Sequence, residues 1–526
     1  MPLSPDLVGS RPLLARLLVP DAAVLVEVAP PDETLARAYQ RQNPRGEYRA
    51  IAPFAPLPAG AACVVISDLR AIGGAAGLAP YREGLAPDGQ LLVYVPNAQY
   101  WRRLQGCLTE QEDWGPGFWL PAMPNQLAAH VHVWDVQWDT PPLTAAEAAA
   151  LERFLETLRP LLPQPDRFAQ VACIAGGVFA ATLTPPARPL LVHTFISAPI
   201  GCDRVRVLEP DRLSQTIPGT RIQHSRPREA IATKGLPGEE KVFIWQRALL
   251  LYPQDIQKQK LFLQNGFLIV MEHDDDPYFW PENADNKFLV FWTSHCVQTS
   301  TEPLAQHLTQ FNPNVKVFRN HLSFLPPRRS YPKKSTVTLF FGALNRKADW
   351  EPLMPALNRV LKKYQNVSVQ VVHDREFFDA LATKHKEFQP FCPYERYQEI
   401  LSRCDIGILP LLDTQFNRMK SDLKFLEHAG FGTVALASPT VYAESIVEGE
   451  TGLLFASPEE FETKLVTLIQ DGELRQRLAH NAYDWVAQSR LLSQHYRERR
   501  DWYLAMRDDL PRLNAELRER CPTMFD

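Results

Sequence analysis

From residue 337 onwards, short apolar runs alternate with stretches of helical pattern, and this alternation constrains the fold more than any other feature. Residues 337–342 (VTLFFG) read as a buried strand, followed by the loop 343–347 and a helix that Asp349 would cap and that runs to about residue 364. A strand at 367–373, helices at 376–384 and 397–403, and a strand at 406–412 (IGILPLL) continue the series. This β-α-β-α order predicts a doubly wound parallel sheet, which binds ligands beyond the carboxyl ends of its strands. The loop after Gly342 and the loop before Ser421 are both such ends.

Residues 417–438, NRMKSDLKFLEHAGFGTVALAS, carry the strongest chemical signal. Ser421 reads as an N-cap, 422–429 as a helix, Gly430 as its stop and 434–438 as a buried strand. Arg418, Lys420 and Lys424 crowd the helix start. The macrodipole disfavours cations there by roughly 0.3–1 kcal/mol each. Holding an anion such as phosphate would explain them; a solvated helix with scattered charges is the alternative. Glu427, near the helix end, could accept hydrogen bonds from sugar hydroxyls.

Residues from about 190 to 500 resemble a GT-B glycosyltransferase of the family 4 type. The resemblance rests on the helix with Glu427, the small-residue turn and the strand ending at Ser438, then on Glu448-Gly449-Glu450-Thr451-Gly452-Leu453-Leu454, which matches x-G-x-T-G-L-L. It also rests on Ser300-Thr301-Glu302-Pro303-Leu304 and on Asn320 before the interdomain linker. The resemblance implies donor binding by Gly342, Asn345, Arg346, Asn417, Lys420, Ser421, Asp422, Lys424, Glu427 and Thr451, with Arg346, Lys424 and His273 as catalytic candidates. Arg346, with Lys347 or Lys424, would neutralise the diphosphate, and Glu427 would hold the ribose. One departure stands out. The family's first Glu falls on Met419, so Asn417, Lys420 or Asp422 would take its place and the donor sugar is left open.

Upstream of the linker the resemblance implies an acceptor side built from Arg204, Arg206, Asp274 and Asp275. Arg204 and Arg206 would meet an anion or form a solvated pair on a surface strand, and Trp245-Gln246-Arg247 ends a strand near the cleft. Asp274-Asp275-Asp276 reads literally as D-x-D, a metal-binding pattern. GT-B enzymes replace the metal with cations and a helix N-terminus, so no metal site is expected and the run would bind hydroxyls or set the loop.

The first part of the chain is a separate unit. Strands at 22–28, 63–67 and 91–95, a helix at 34–42 and the element Leu85-Ala86-Pro87-Asp88-Gly89-Gln90-Leu91-Leu92-Val93-Tyr94-Val95-Pro96-Asn97 resemble a class I methyltransferase. The loop after the first strand, Ala29-Pro30-Pro31-Asp32-Glu33, has no glycine and two prolines, where a cofactor would need close backbone approach. A degenerate domain is expected, with S-adenosylmethionine binding unlikely even though Glu27 stands near the strand end. Proline pairs at 141–142 and 185–186 bracket a helix at 145–159, and a strand follows at 171–181.

The expected fold class is α/β: three Rossmann-like domains, the last two forming a GT-B glycosyltransferase. The boundaries are 1–188, 189–330, 331–480 and C-terminal helices at 481–526 that cross back. A formal net charge of −4 carries no nucleic-acid footprint. Eight cysteines without a C-x-x-C pair argue for reduced thiols in a cytoplasmic protein. No apolar run reaches ~18 residues, so no membrane span is expected, and weak peripheral contact is left open. The implied activity is retaining transfer from a UDP-, GDP- or dTDP-sugar to a glycan, lipid-linked or protein acceptor, as in polysaccharide biosynthesis. A bifunctional methyl- and glycosyltransferase and a non-catalytic nucleotide-sugar- or glycan-binding scaffold are the alternatives.

Overall fold

The computed structural model describes residues 5–97, 100, 130–138, 144–161, 166, 169, 172, 174–198, 202–331 and 335–526. Cys107, Pro141, Pro142, Cys173 and Gly201 lie outside them. Contacts group the chain into two compact units. One comprises residues 1–192, 211–223 and 235–240; the other comprises 193–210, 224–234 and 241–526.

The first sheet contains β1 (Val24–Val28), β2 (Glu47–Ile51), β3 (Cys63–Ile66), β4 (Gln90–Pro96), β5 (His130–Trp138) and β6 (Ile174–Thr182), in the order β2-β1-β3-β4-β6-β5. Strands β1 to β4 run parallel, and β6 is antiparallel to both its neighbours. Glu27 of β1 is buried against Arg11 at 2.5 Å, Tyr48 at 2.6 Å and the Ser67 hydroxyl. The helix Pro5–Leu17, which brings in Arg11, was not expected from sequence.

The second sheet contains β7 (Leu190–Ile196), β8 (Thr220–Ser225), β9 (Glu240–Gln246), β10 (Leu268–Glu272), β11 (Cys296–Thr299) and β12 (Val315–Val317), ordered β12-β11-β10-β9-β7-β8. The third contains β13 (Val337–Gly342), β14 (Val367–Val372), β15 (Lys386–Gln389), β16 (Ile406–Leu409), β17 (Val434–Ala437) and β18 (Leu453–Leu454), all parallel, ordered β15-β14-β13-β16-β17-β18. Strand order reverses between β13 and β16. At such a switch point the flanking loops splay apart and leave a crevice. The core of this third sheet sets Leu339 and Phe341 of β13 and Val369 of β14 against Leu357, Val360 and Leu361, and Phe341 stacks on Phe377 at 3.9 Å.

Several local expectations are corrected. Asp349 does not cap a helix. It lies inside the short helix Lys347–Trp350, whose N-cap is Arg346, and its carboxylate accepts from the Leu412 amide and Asn417 instead. The helix expected at 376–384 ends at Ala380, and β15 follows. Ser421 is not the cap of the helix Leu423–Gly430. Asp422 occupies that position, with its carboxylate turned to Arg490 and Ser445, and Gly430 is the last helical residue. Residues 204–208 form a helical turn of π type, not a surface strand.

After the helix Gly472–Ser489 the chain returns to the second sheet. Leu322, on the outgoing path, and Leu491, on the returning one, form a parallel bridge, with the Leu322 amide on Arg490 O at 3.0 Å and the Leu492 amide on Leu322 O at 2.8 Å. The helices Arg497–Asp508 and Leu510–Arg520 then cover that sheet. Tyr503 donates to Gln298 at 2.7 Å, and Arg499 donates to the Arg206 carbonyl at 2.7 Å.

Candidate functional site

The carboxyl ends of the second and third sheets line one cavity of about 690 Å³. Gly342 and Arg346 follow β13, residues 409–411 follow β16, and residues 420–427 precede β17. Cys202 to Arg206 follow β7, Arg247 follows β9, and Asp274 and Asp275 follow β10. Gly342 is required by close approach: a Cβ there would lie 2.6 Å from the Phe340 ring and 2.8 Å from the Tyr397 ring. Arg247 (φ 47°) and His373 (φ 78°) line the cavity in left-handed backbone conformations, and Asn345 (φ 55°) turns the chain just before Arg346. Backbone strain of this kind concentrates at binding sites.

On the third-sheet side, Glu427 is 1% exposed. Its carboxylate accepts from Tyr394 at 2.7 Å and Tyr397 at 3.2 Å, and Lys424 lies 3.3 Å away. Burial, and next the Glu427 charge, push both tyrosine hydroxyls well above their usual range, so both are donors. Lys424 also donates to the Tyr397 hydroxyl at 2.9 Å and sits over its ring at 4.2 Å. Arg346 is steered by Asn417 at 2.9 Å and Asp349 at 3.3 Å. Ser421 receives a hydrogen bond from Asn320 at 2.8 Å.

On the second-sheet side, burial would raise the Asp274 carboxyl, but Arg247 at 2.6 Å outweighs it and holds the group below its usual value. Asp275 pairs with Lys420 and lies 3.5 Å from Arg247. Burial holds Lys420 below the usual lysine value, against the pull of Asp275. Arg204 pairs with Glu395 and covers the Tyr394 ring at 5.2 Å, and Phe279 stacks on Phe416 at 5.2 Å. Six cations (Arg204, Arg206, Arg247, Arg346, Lys420, Lys424) face four carboxylates (Asp203, Asp274, Asp275, Glu427) around the cavity. The surplus is positive, which suits an anionic ligand.

Of the residues singled out from sequence, Arg204, Arg206, Asp274, Asp275, Gly342, Arg346, Lys420, Ser421, Lys424 and Glu427 line this cavity. Five do not. His273 is buried with both ring nitrogens lacking a protein hydrogen-bond partner, and it packs edge-on to Phe291 at 5.2 Å and Trp280 at 6.0 Å. Burial drives its pKa down to about 4, and it does not line the cavity. Asn345 is exposed in its turn. Asn417 is buried behind Arg346, which it positions. Asp422 is held by Arg490, and Thr451 accepts from the Val447 amide at 2.8 Å within its own turn.

Arg206 lines the cavity but has nothing left to give. Its guanidinium is spent on Glu272, Asn320 and the carbonyls of Phe318 and Thr299. Sequence reasoning missed Tyr394, Tyr397 and His373. The two tyrosines are one helical turn apart on the helix Tyr394–Leu401, and nothing local ties them to a glutamate some thirty residues on.

A family model described as glycosyl transferase-like matches residues 354–505. No curated protein matches the sequence. Among solved structures, a TarM variant from S. aureus in complex with fondaparinux, alpha-GlcNAc-glycerol and UDP aligns at 11% identity, covering 50% of this chain and 55% of its own, with a TM-score of 0.40. HepE from Anabaena, in complex with UDP and glucose, aligns at 12% identity over 60% of this chain and 100% of its own, TM-score 0.44. Sucrose-phosphate synthase from Thermosynechococcus elongatus aligns at 11% identity over 60% and 99%, TM-score 0.44. The chain thus spans little more than half of TarM's length. The two α/β sheets from β7 onward, with their shared cavity, have the GT-B arrangement, and residues 354–505 within them match the glycosyl transferase-like family.

Proposed function

We propose that this chain is a glycosyltransferase of the family 4 type. It moves a sugar from a UDP-, GDP- or dTDP-sugar to a hydroxyl of a glycan or glycoconjugate acceptor, with retention of configuration. The observation that carries the reading is the convergence of Arg346, Ser421, Lys424 and Glu427 on one cavity at the switch point of the third sheet. In this reading Arg346 and Lys424 neutralise the diphosphate as its bond to the sugar breaks, which is where fixed charge accelerates transfer most. The start of the helix Leu423–Gly430 adds its dipole. Glu427 exchanges its tyrosine and lysine partners for the ribose hydroxyls. Closure of the two sides excludes water and favours transfer over hydrolysis.

The domain limits that accompany this reading are 1–188, 189–330, 331–480 and 481–526. Residues 1–188 are in this view a methyltransferase-like domain that no longer takes S-adenosylmethionine. Glu27, the acidic residue near the end of its first strand, is already satisfied by Arg11, Tyr48 and Ser67.

Calorimetry with UDP, GDP, dTDP and S-adenosylmethionine, using Glu427→Ala as control, tests the reading. One nucleoside diphosphate binds the wild type and is lost in the variant, and S-adenosylmethionine does not bind. Absence of binding by all three diphosphates would sink the transferase assignment.

A further inference from the structure

Three of the four carboxylates around the cavity are engaged. Asp274 faces Arg247, Asp275 faces Lys420, and Glu427 takes two tyrosines and a lysine. Asp203 is the exception. It is 6% exposed and lines the cavity, yet it has no hydrogen-bond or ion-pair partner among the described residues. It occupies the N-cap position of the turn Arg204–Leu208 without making a side-chain cap bond. A carboxylate on a cavity wall that no protein donor engages offers its acceptor lone pairs to whatever fills the cavity.

The chemistry of that donor is narrowed by the neighbours. Arg206 is saturated by Glu272, Asn320 and backbone carbonyls, Arg204 is paired with Glu395, and Arg247 with Asp274. The uncommitted charge on the second-sheet side is therefore negative, whereas the cations Arg346 and Lys424 stand on the third-sheet side. A phosphate or uronate placed against Asp203 would be repelled. A neutral hydroxyl-bearing ring, with donors and no negative charge, fits.

We propose that Asp203 is a substrate-binding residue that accepts hydrogen bonds from the hydroxyls of a neutral sugar ring. The proposal rests on the transferase reading and deepens it. Such a ring comes either from the transferred sugar of the donor or from the acceptor, and the test separates the two.

Wild type and Asp203→Asn are titrated with UDP, GDP and dTDP and with the corresponding glucose conjugates. Saturation-transfer NMR then follows methyl α-glucoside with the diphosphate bound. In Asp203→Asn the diphosphate binds as in wild type, which also reports an intact fold. If the donor sugar is the ligand, its conjugate loses about 10- to 100-fold in affinity, the range for a hydrogen bond to a charged group. If the acceptor is the ligand, the conjugate is unaffected and the glucoside signal is lost.

No difference between variant and wild type in any arm overturns the assignment of Asp203 while leaving the transferase reading intact. So does an equal loss of diphosphate alone and conjugate, because that marks a scaffold role. Asp203→Ser repeats the comparison in case the amide disturbs folding. A wild type that binds no diphosphate removes the transferase reading, and this proposal with it.

Discussion

Arg346 reaches the cavity because Asn417 and Asp349 hold it there. A guanidinium fixed in advance stabilises developing charge without reorganising, so Arg346→Ala should lower kcat by roughly 10²- to 10³-fold in a steady-state assay. Arg346→Lys should recover little, since an ammonium cannot bond two partners and a diphosphate in one plane. The charge pattern that made Lys424 and Glu427 legible is local, five residues of one helix and its entry. His273 lies off the cavity for a reason of strand phase. Side chains alternate along and just past β10, so Glu272 and Asp274 turn toward Arg206 and Arg247, while His273 turns the opposite way onto Phe291. Asp203 carried no signal at all in sequence, because its standing depends on which arginines around it are already engaged.

At the scale of elements, the position of the helix Leu423–Gly430 depends on a glycine in a neighbouring strand. A Cβ on Gly407 of β16 would fall 1.9 Å from the His428 ring, and the His428 Nδ1 is committed to the Lys424 carbonyl at 2.6 Å. Gly407→Ala should therefore push the helix off β16. It should cost about 1–3 kcal/mol in denaturant unfolding and weaken nucleoside diphosphate binding through the displaced Lys424 and Glu427. The central strands of the third sheet were legible because strands covered on both faces are unbroken apolar runs, as in β13, β16 and β17. Among the strands that escaped notice, β2 (EYRAI) and β15 (KEFQ) sit at sheet edges, half exposed and charged. An edge strand blunted with charge resists wrong pairing and for the same reason resembles a loop or helix.

For the whole molecule, three buried histidines set an acid limit. Burial lowers His273 and His295 to about 4 and His428 to about 3. The unfolded chain takes up these protons near pH 6.5 and the folded chain does not, so stability is complete above pH 6.5 and is lost as pH falls toward 4. Each group contributes on the order of 3 kcal/mol over that interval. Thermal melts should hold steady from pH 8 to 7 and drop steeply below 6, and a melting curve flat down to pH 4.5 would refute this. The three-sheet organisation was legible from alternation for the third sheet and from family resemblance for the other two. What sequence could not reveal is how the ends of two sheets meet, since Arg204 with Glu395 and Lys420 with Asp275 pair residues far apart in the chain.

The bridge between Leu322 and Leu491 has a mechanical consequence. The chain passes between the second and third sheets twice, and at that bridge the two passages are zipped together by backbone hydrogen bonds. Two ribbons fastened at a crease transmit rotation about that line and resist sliding across it. In front of the cavity, Lys420 on Asp275 and Phe279 on Phe416 tie the two sides by side chains, contacts that release without unmaking a strand. The molecule is thus built as a door with one sewn edge and an unsewn one.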